Sequence, residues 1–289
     1  MKQFSVLFSC LCLMLSSAFA QYDEDYVETF STNLEGETYS VVKMSRRDER
    51  VKVKYFAAKD YNGKSVYQRF SDWSRNKKIV AYSSGTYMTH CDASYAKPDG
   101  LCIDNGQLVN NEIKNFDGLA IVYATGGMVV SNLKDGDLSV TNGDGTKMTL
   151  NLNNSFDRTR FIKWAGENSA TVFQTHLFYY KNAPRVFSNG SSDSRMRRFL
   201  AVGRNNDGEL CHYIVNLSGA NTVYQATMKV SKFLQKNDGL NITFLINLDT
   251  GCQDVFGVNN SDGNVDSRKG FSGTTHITNA ANLIVYYYE

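Results

Sequence analysis

Residues 242–248 read Ile242-Thr243-Phe244-Leu245-Ile246-Asn247-Leu248, an almost unbroken apolar run, after which the chain turns polar at Asp249-Thr250-Gly251-Cys252-Gln253-Asp254. A short run of this character, bounded by turn residues, reads as a buried strand. Just upstream, Val230, Phe233 and Leu234 form the apolar stripe of a helix. Thr227 is its expected N-cap, and Asn237-Asp238-Gly239 stops it. Before the helix, Phe199–Arg204 and Leu210–Leu217 carry strand patterns. Strand, helix and strand in this order predict an α/β or α+β fold, with a mixed β-sheet core and few packed helices.

Working outward, strand patterns dominate. They cover Tyr39–Met44, Val51–Ala57, Lys78–Ser83, Leu119–Ala124, Met128–Asn132, Asp137–Thr141, Lys147–Asn151, Val172–Tyr180 and Asn282–Tyr288. Asn62-Gly63, Asn105-Gly106, Gly126-Gly127, Asn142-Gly143-Asp144-Gly145 and Asp207-Gly208 punctuate them, supplying the positive φ that hairpins require. Ser65 is placed to cap a short helix carrying Val66, Phe70 and Trp73, and Ser155 opens another with Phe156, Ile162 and Trp164. With two prolines in 289 residues there is no proline-rich linker. The expected organisation is a strand extension over 21–76 followed by one domain over 77–289.

Residues 1–20 stand apart. Lys2, the apolar run from Phe4 to Leu15 and the small residues of Ser17-Ala18-Phe19-Ala20 form the pattern of a cleavable signal peptide. Its apolar run is too short to span a bilayer, so the expectation is a secreted or periplasmic chain without membrane insertion. Once Lys2 is removed from the 31 basic residues, the remainder stand almost level with the 29 acidic ones and form no basic block, which argues against a nucleic-acid partner. Four cysteines remain, Cys91, Cys102, Cys211 and Cys252. In an exported chain an even number reads as two bridges, and Cys91–Cys102 with Cys211–Cys252 is the favoured pairing of three. A zinc site is the weaker reading, because no close pair of ligands exists.

Asp249 is the leading candidate for chemistry. A carboxylate at the tip of a buried strand, followed by glycine, is well placed to serve as an acid or base in a cleft. The plainer reading is that it caps its own turn. Trp73 and Trp164 read as core rather than sugar platforms, and Asn259–Asp266 as a polar loop rather than a calcium site. No cofactor or metal is expected.

The stretch from Asn247 to Gln253 resembles the N-L-D-G-G-G-S strand end of the phosphodiester glycosidases. Further resemblances follow in order: Ser83-Ser84-Gly85-Thr86-Tyr87 to the family's N-x-G-x-F, Pro98–Leu108 and Gly118–Val130 to its next two segments, Phe199-Leu200-Ala201-Val202-Gly203 to R-T-A-I-G, and Asn282-Leu283-Ile284-Val285 to its closing strand. The resemblance covers roughly residues 78–288. It implies a secreted hydrolase that cleaves a sugar-1-phosphate diester, with Asp249 as the catalytic carboxylate and Gly251, Gly85 and Tyr87 beside the substrate. Ser83, Phe199, Thr250, Cys252, Gln253 and Thr278 replace family residues, several of which would bind phosphate. Arg197 shares a strand face with Phe199 and is the substitute guanidinium; Asp254 or Asp92 is the candidate second carboxylate. These losses also fit a catalytically impaired enzyme, or a non-catalytic glycan- or phosphate-binding protein on the same scaffold. The expected partner in each case is a small glycan or sugar phosphodiester.

Overall fold

The computed structural model describes residues 21–23, 27–46, 50–57, 63–91, 96–136, 138–259, 266 and 268–289. The expected signal peptide, Asp92 and most of the Asn259–Asp266 loop lie outside the described residues. In chain order the elements are β1 (Gln21–Asp23), β2 (Val27–Leu34), β3 (Glu37–Ser45), β4 (Val51–Phe56), α1 (Val66–Ser74), β5 (Lys78–Ser83), β6 (Cys102–Asp104), β7 (Gln107–Asn110), β8 (Gly118–Val122) and β9 (Met128–Asn132). There follow β10 (Leu138–Thr141), β11 (Lys147–Leu150), α2 (Ser155–Glu167), β12 (Thr171–Thr175), β13 (Leu177–Tyr180), β14 (Ala183–Pro184) and β15 (Arg195–Arg204). The last are β16 (Leu210–Asn221), α3 (Val223–Asp238), β17 (Asn241–Leu248), β18 (Phe256–Val258) and β19 (Leu283–Tyr288). The fold is α+β and rich in strands.

Three sheets converge on one core. They run β1-β2-β3-β16-β15-β17-β13-β14, β7-β6-β12-β8-β9 and β18-β5-β19-β4, with β10-β11 as a separate hairpin. Leu200, Ile214 and Ile246 of the first sheet meet Phe173 of the second and Tyr55, Ile284 and Tyr286 of the third. The period-two alternation of each strand then sends the intervening side chains outward, where one helix covers each sheet. Val230, Phe233 and Leu234 of α3 pack on Phe199, Val215 and Leu245. Phe161 and Trp164 of α2 pack on Leu119 and Val172, and Val66 and Phe70 of α1 on Leu283 and Val285. Each large apolar side chain so buried contributes about 1.5–3 kcal/mol. Both tryptophans face these clusters, as the sequence predicts.

Every strand pairing among the described residues is antiparallel. β16 and β17 nevertheless point the same way, because each is antiparallel to β15 between them, and α3 is the crossover that joins them. The strands before residue 77 enter two sheets: β3 pairs along β16, and β4 pairs along β19.

One helix start differs from expectation. α3 begins after Thr222, whose side chain and that of Gln225 cap each other's backbone N–H groups, while Thr227 is buried inside the helix. This reciprocal cap satisfies two orphan donors at once and outcompetes a lone threonine five residues later. α2 opens at Ser155 as expected, with Asn154 as its cap, accepting from the N–H groups of Phe156 and Asp157. Ser65 caps the start of α1 and Gly239 the end of α3, as expected.

Arg198 is fully buried on the inner face of β15. Its Nη2 donates to Asp254 Oδ1 at 2.7 Å, Nε to Asn216 Oδ1 at 3.2 Å and Nη1 to the Val255 carbonyl at 3.2 Å. The guanidinium lies 4.3 Å from the Phe256 ring centroid. Asp254 in turn accepts from the N–H and hydroxyl of Thr274. Breaking a buried pair leaves an uncompensated charge. Arg198→Ala is therefore expected to lower the unfolding free energy by about 3–5 kcal/mol, against about 1 kcal/mol for the exposed cap variant Thr222→Ala. Urea denaturation measures both, and equal small losses would contradict the role given to the pair.

Candidate active site

The start of β15 lies beside the end of β17. Arg198 and Leu248 are their last paired positions, and Asp249 is the first residue beyond β17. Leu248 turns into the central core. Strand alternation thus sends Arg198 inward and Arg197 outward.

Asp249 leaves the sheet by donating its N–H to the Gly85 carbonyl at 2.9 Å. Its side chain is buried, and Oδ1 accepts the N–H of Gly251 at 2.8 Å. The carboxylate therefore caps its own turn, the plainer of the two readings of the sequence. Gly85 is equally committed: its N–H donates to Asn282 Oδ1 at 2.7 Å. A Cβ there would come within 2.5 Å of the Tyr55 ring, so packing demands glycine at this position. The structure brings Asp249, Gly251 and Gly85 together, with both glycine N–H groups donated inside the protein.

Arg197 and Tyr87 border a cavity of about 400 Å³. Arg197 is only 4% exposed, and Nη2 donates to the Asp193 carbonyl at 2.8 Å while Nε donates to that of Asn221 at 3.3 Å. Arg195 also borders the cavity, and its guanidinium contacts the Asp193 carboxylate. Tyr87 sits edge-on to His176, 5.5 Å between ring centroids. Burial raises the Tyr87 pKa, the charge of Asp249 raises it further, and the two arginines oppose them. Burial also holds His176 below its ordinary value, so the ring is neutral near pH 7. Phe187, three-quarters exposed, and Tyr224 complete an aromatic rim. Asn247 Nδ2, on the same strand face as Arg197, is buried without a hydrogen-bond partner.

Arg195, His176 and Phe187 escape the sequence reading. The period of two that singles out Arg197 reaches Arg195 as well, but the other two join the site only through tertiary packing. Asp254 is withdrawn as a second acid, because its carboxylate is buried against Arg198 and Thr274. Among the described residues, no three His, Cys, Asp or Glu side chains converge to hold a metal.

The expected cysteine pairing is also overturned. Cys91 bridges Cys252, with Cα atoms 5.3 Å apart, while Cys102 and Cys211 are unpaired and buried. Cys102 faces the central core and Cys211 the layer under α3. The contact between Asp249 and Gly85 draws together the two loops that carry Cys91 and Cys252. Gln253 reinforces it, donating from Nε2 to the Cys91 carbonyl at 3.0 Å.

No family model matches the chain, and no curated protein does. Among solved structures it is similar to the zebrafish N-acetylglucosamine-1-phosphodiester alpha-N-acetylglucosaminidase catalytic domain auto-inhibited by its pro-peptide, at 13% identity and a TM-score of 0.46, covering 93% of this chain and 87% of that one. A hypothetical protein from Synechocystis shares 10% identity at a TM-score of 0.48; 91% of this chain matches 62% of its length. A putative exported protein from Burkholderia pseudomallei shares 10% at 0.41, over 90% and 74% of the two chains. These are distant likenesses of fold and assign no residue a role.

Burial holds the Asp249 pKa above its ordinary 3.8, opposed by the hydrogen bond from Gly251. The folded chain then binds this proton more tightly than the unfolded chain, so stability falls as pH rises from about 3.8 toward the folded value. Asp249→Asn keeps the turn acceptor without the charge. It is expected to exceed the parent in stability at pH 7 and to lose that advantage below the ordinary carboxylate value, as read by urea denaturation at both pH values. A difference that does not change with pH would contradict the burial argument.

Proposed function

We propose that the chain binds a sugar-1-phosphate ester in the cavity bordered by Arg195, Arg197 and Tyr87. The observation that carries this reading is the convergence of Arg195 and Arg197 with the rings of Tyr87, Phe187 and Tyr224 around one opening. Guanidinium forks match phosphate oxygens. Aromatic rings with one face in water offer the flat apolar surface that a sugar's C–H groups cover. Gly85 and Gly251 act in this reading by holding Asp249 in place, since their N–H groups are already donated. The export leader read in residues 1–20 sets the activity outside the cytoplasm, where a bridge such as Cys91–Cys252 persists.

Cleavage of a sugar-1-phosphate diester is the second reading. One observation favours it: burial biases Asp249 toward the protonated form that a general acid needs. A second carboxylate is lacking among the sequence candidates the structure describes, so binding is the better supported function.

Calorimetric titration with glucose 1-phosphate and its methyl diester tests the proposal. Arg197→Gln and Arg195→Gln are each expected to weaken binding about tenfold or more, the cost of about 1.5–3 kcal/mol for losing a hydrogen bond to a charged group. Melting temperatures identify any variant that fails to fold. No heat with either ligand would overturn the binding reading. Release of free glucose from the diester, lost in Asp249→Asn while binding persists, would establish cleavage.

A further inference from the structure

Asp193 already occupies the guanidiniums that a phosphate would use. Its carboxylate contacts Arg195 and lies 3.5 Å from Arg197 Nη2. The two ends of this arrangement differ in burial. Arg197 is buried in β15 and pinned by two backbone carbonyls. Asp193 sits in the irregular connection between β14 and β15, which borders the cavity from Arg185 to Asp193, and its side chain is 46% exposed. The carboxylate can therefore swing into water while the arginine beneath it stays.

We propose that Asp193 is an internal counter-ion displaced by the ligand, and that it thereby selects phosphate over carboxylate sugars. The inference rests on the binding reading above. A ligand carboxylate has the same charge and geometry as Asp193, which competes from a tether at an effective concentration on the order of millimolar. Exchanging one carboxylate for another gains nothing. A phosphate ester offers additional oxygens that span both forks, and a monoester carries close to two charges near pH 7. Removing the Asp193 charge abolishes the competition and should help the weaker anion most.

The test compares glucose 1-phosphate with glucuronate, by calorimetry, on the parent, Asp193→Asn and Asp193→Glu. The expected result is that the parent prefers the phosphate, that Asp193→Asn tightens glucuronate tenfold or more and narrows the preference, and that Asp193→Glu restores it. If Asp193→Asn weakens both ligands with an unchanged melting temperature, Asp193 merely holds the arginines and the proposal is overturned. An unchanged preference overturns it equally, while leaving the binding site intact. If neither chain binds either anion, the cavity reading itself fails, and this proposal with it.

Discussion

Arg198 sets a full positive charge between two sheets, beside a core of valines, aromatics and other apolar side chains. Such a charge is tolerated only where hydrogen-bond partners surround it, and here they come from four places: Asp254, Asn216, Ser83 and the Val255 carbonyl. Ser83 ends β5 and Val255 precedes β18 in the four-stranded sheet, whereas Arg198 and Asn216 lie in the eight-stranded one. The cluster therefore fixes the distance and rotation between two sheets. Asp254 also anchors Thr274 and so fastens the polar segment that follows β17. Apolar contacts alone would hold the sheets together without specifying this alignment.

The candidate site is a consequence of that alignment. Because Arg198 faces inward, Arg197 must face outward on a strand with a two-residue repeat, while Asp249 follows directly where β17 ends. The Asp249 N–H donates to the Gly85 carbonyl and so joins the end of β17 to the segment that follows β5. Cys91–Cys252 then closes the same junction covalently across 161 residues. The cavity is thus framed by rigid strand ends on one side and by the connection from Arg185 to Asp193 on the other.

Much of the strand layout could be read from the sequence, because alternation and Gly turns are local signals. Lys78–Ser83 and Met128–Asn132 emerge with the expected bounds, and Asn105-Gly106 turns the hairpin of β6 and β7. Val172–Tyr180 divides at His176 into β12 and β13, which join different sheets, and no local pattern marks such a change of partner. β2 and β18 escaped because their half-buried or very short strands carry little periodicity. The disulfide was misread because sequence spacing says nothing about contacts 161 residues apart. Asp249, Arg197 and Tyr87 could be singled out, whereas Asp193 as a partner of two arginines could not, since it lies in an irregular connection. The same limit applied to Asp254: its sequence position suggested an acid beside a motif, and only packing reveals its bond to Arg198.

Of two adjacent arginines, one serves the fold and the other the proposed site, and a direct measurement can separate them. In protein labelled with ¹⁵N at arginine, the Nε–H resonances of Arg195, Arg197 and Arg198 can be followed while glucose 1-phosphate is added. Shifts of Arg195 and Arg197 that saturate together, with Arg198 unmoved, are the predicted result. A saturating shift at Arg198, or none at Arg195 and Arg197, would contradict it.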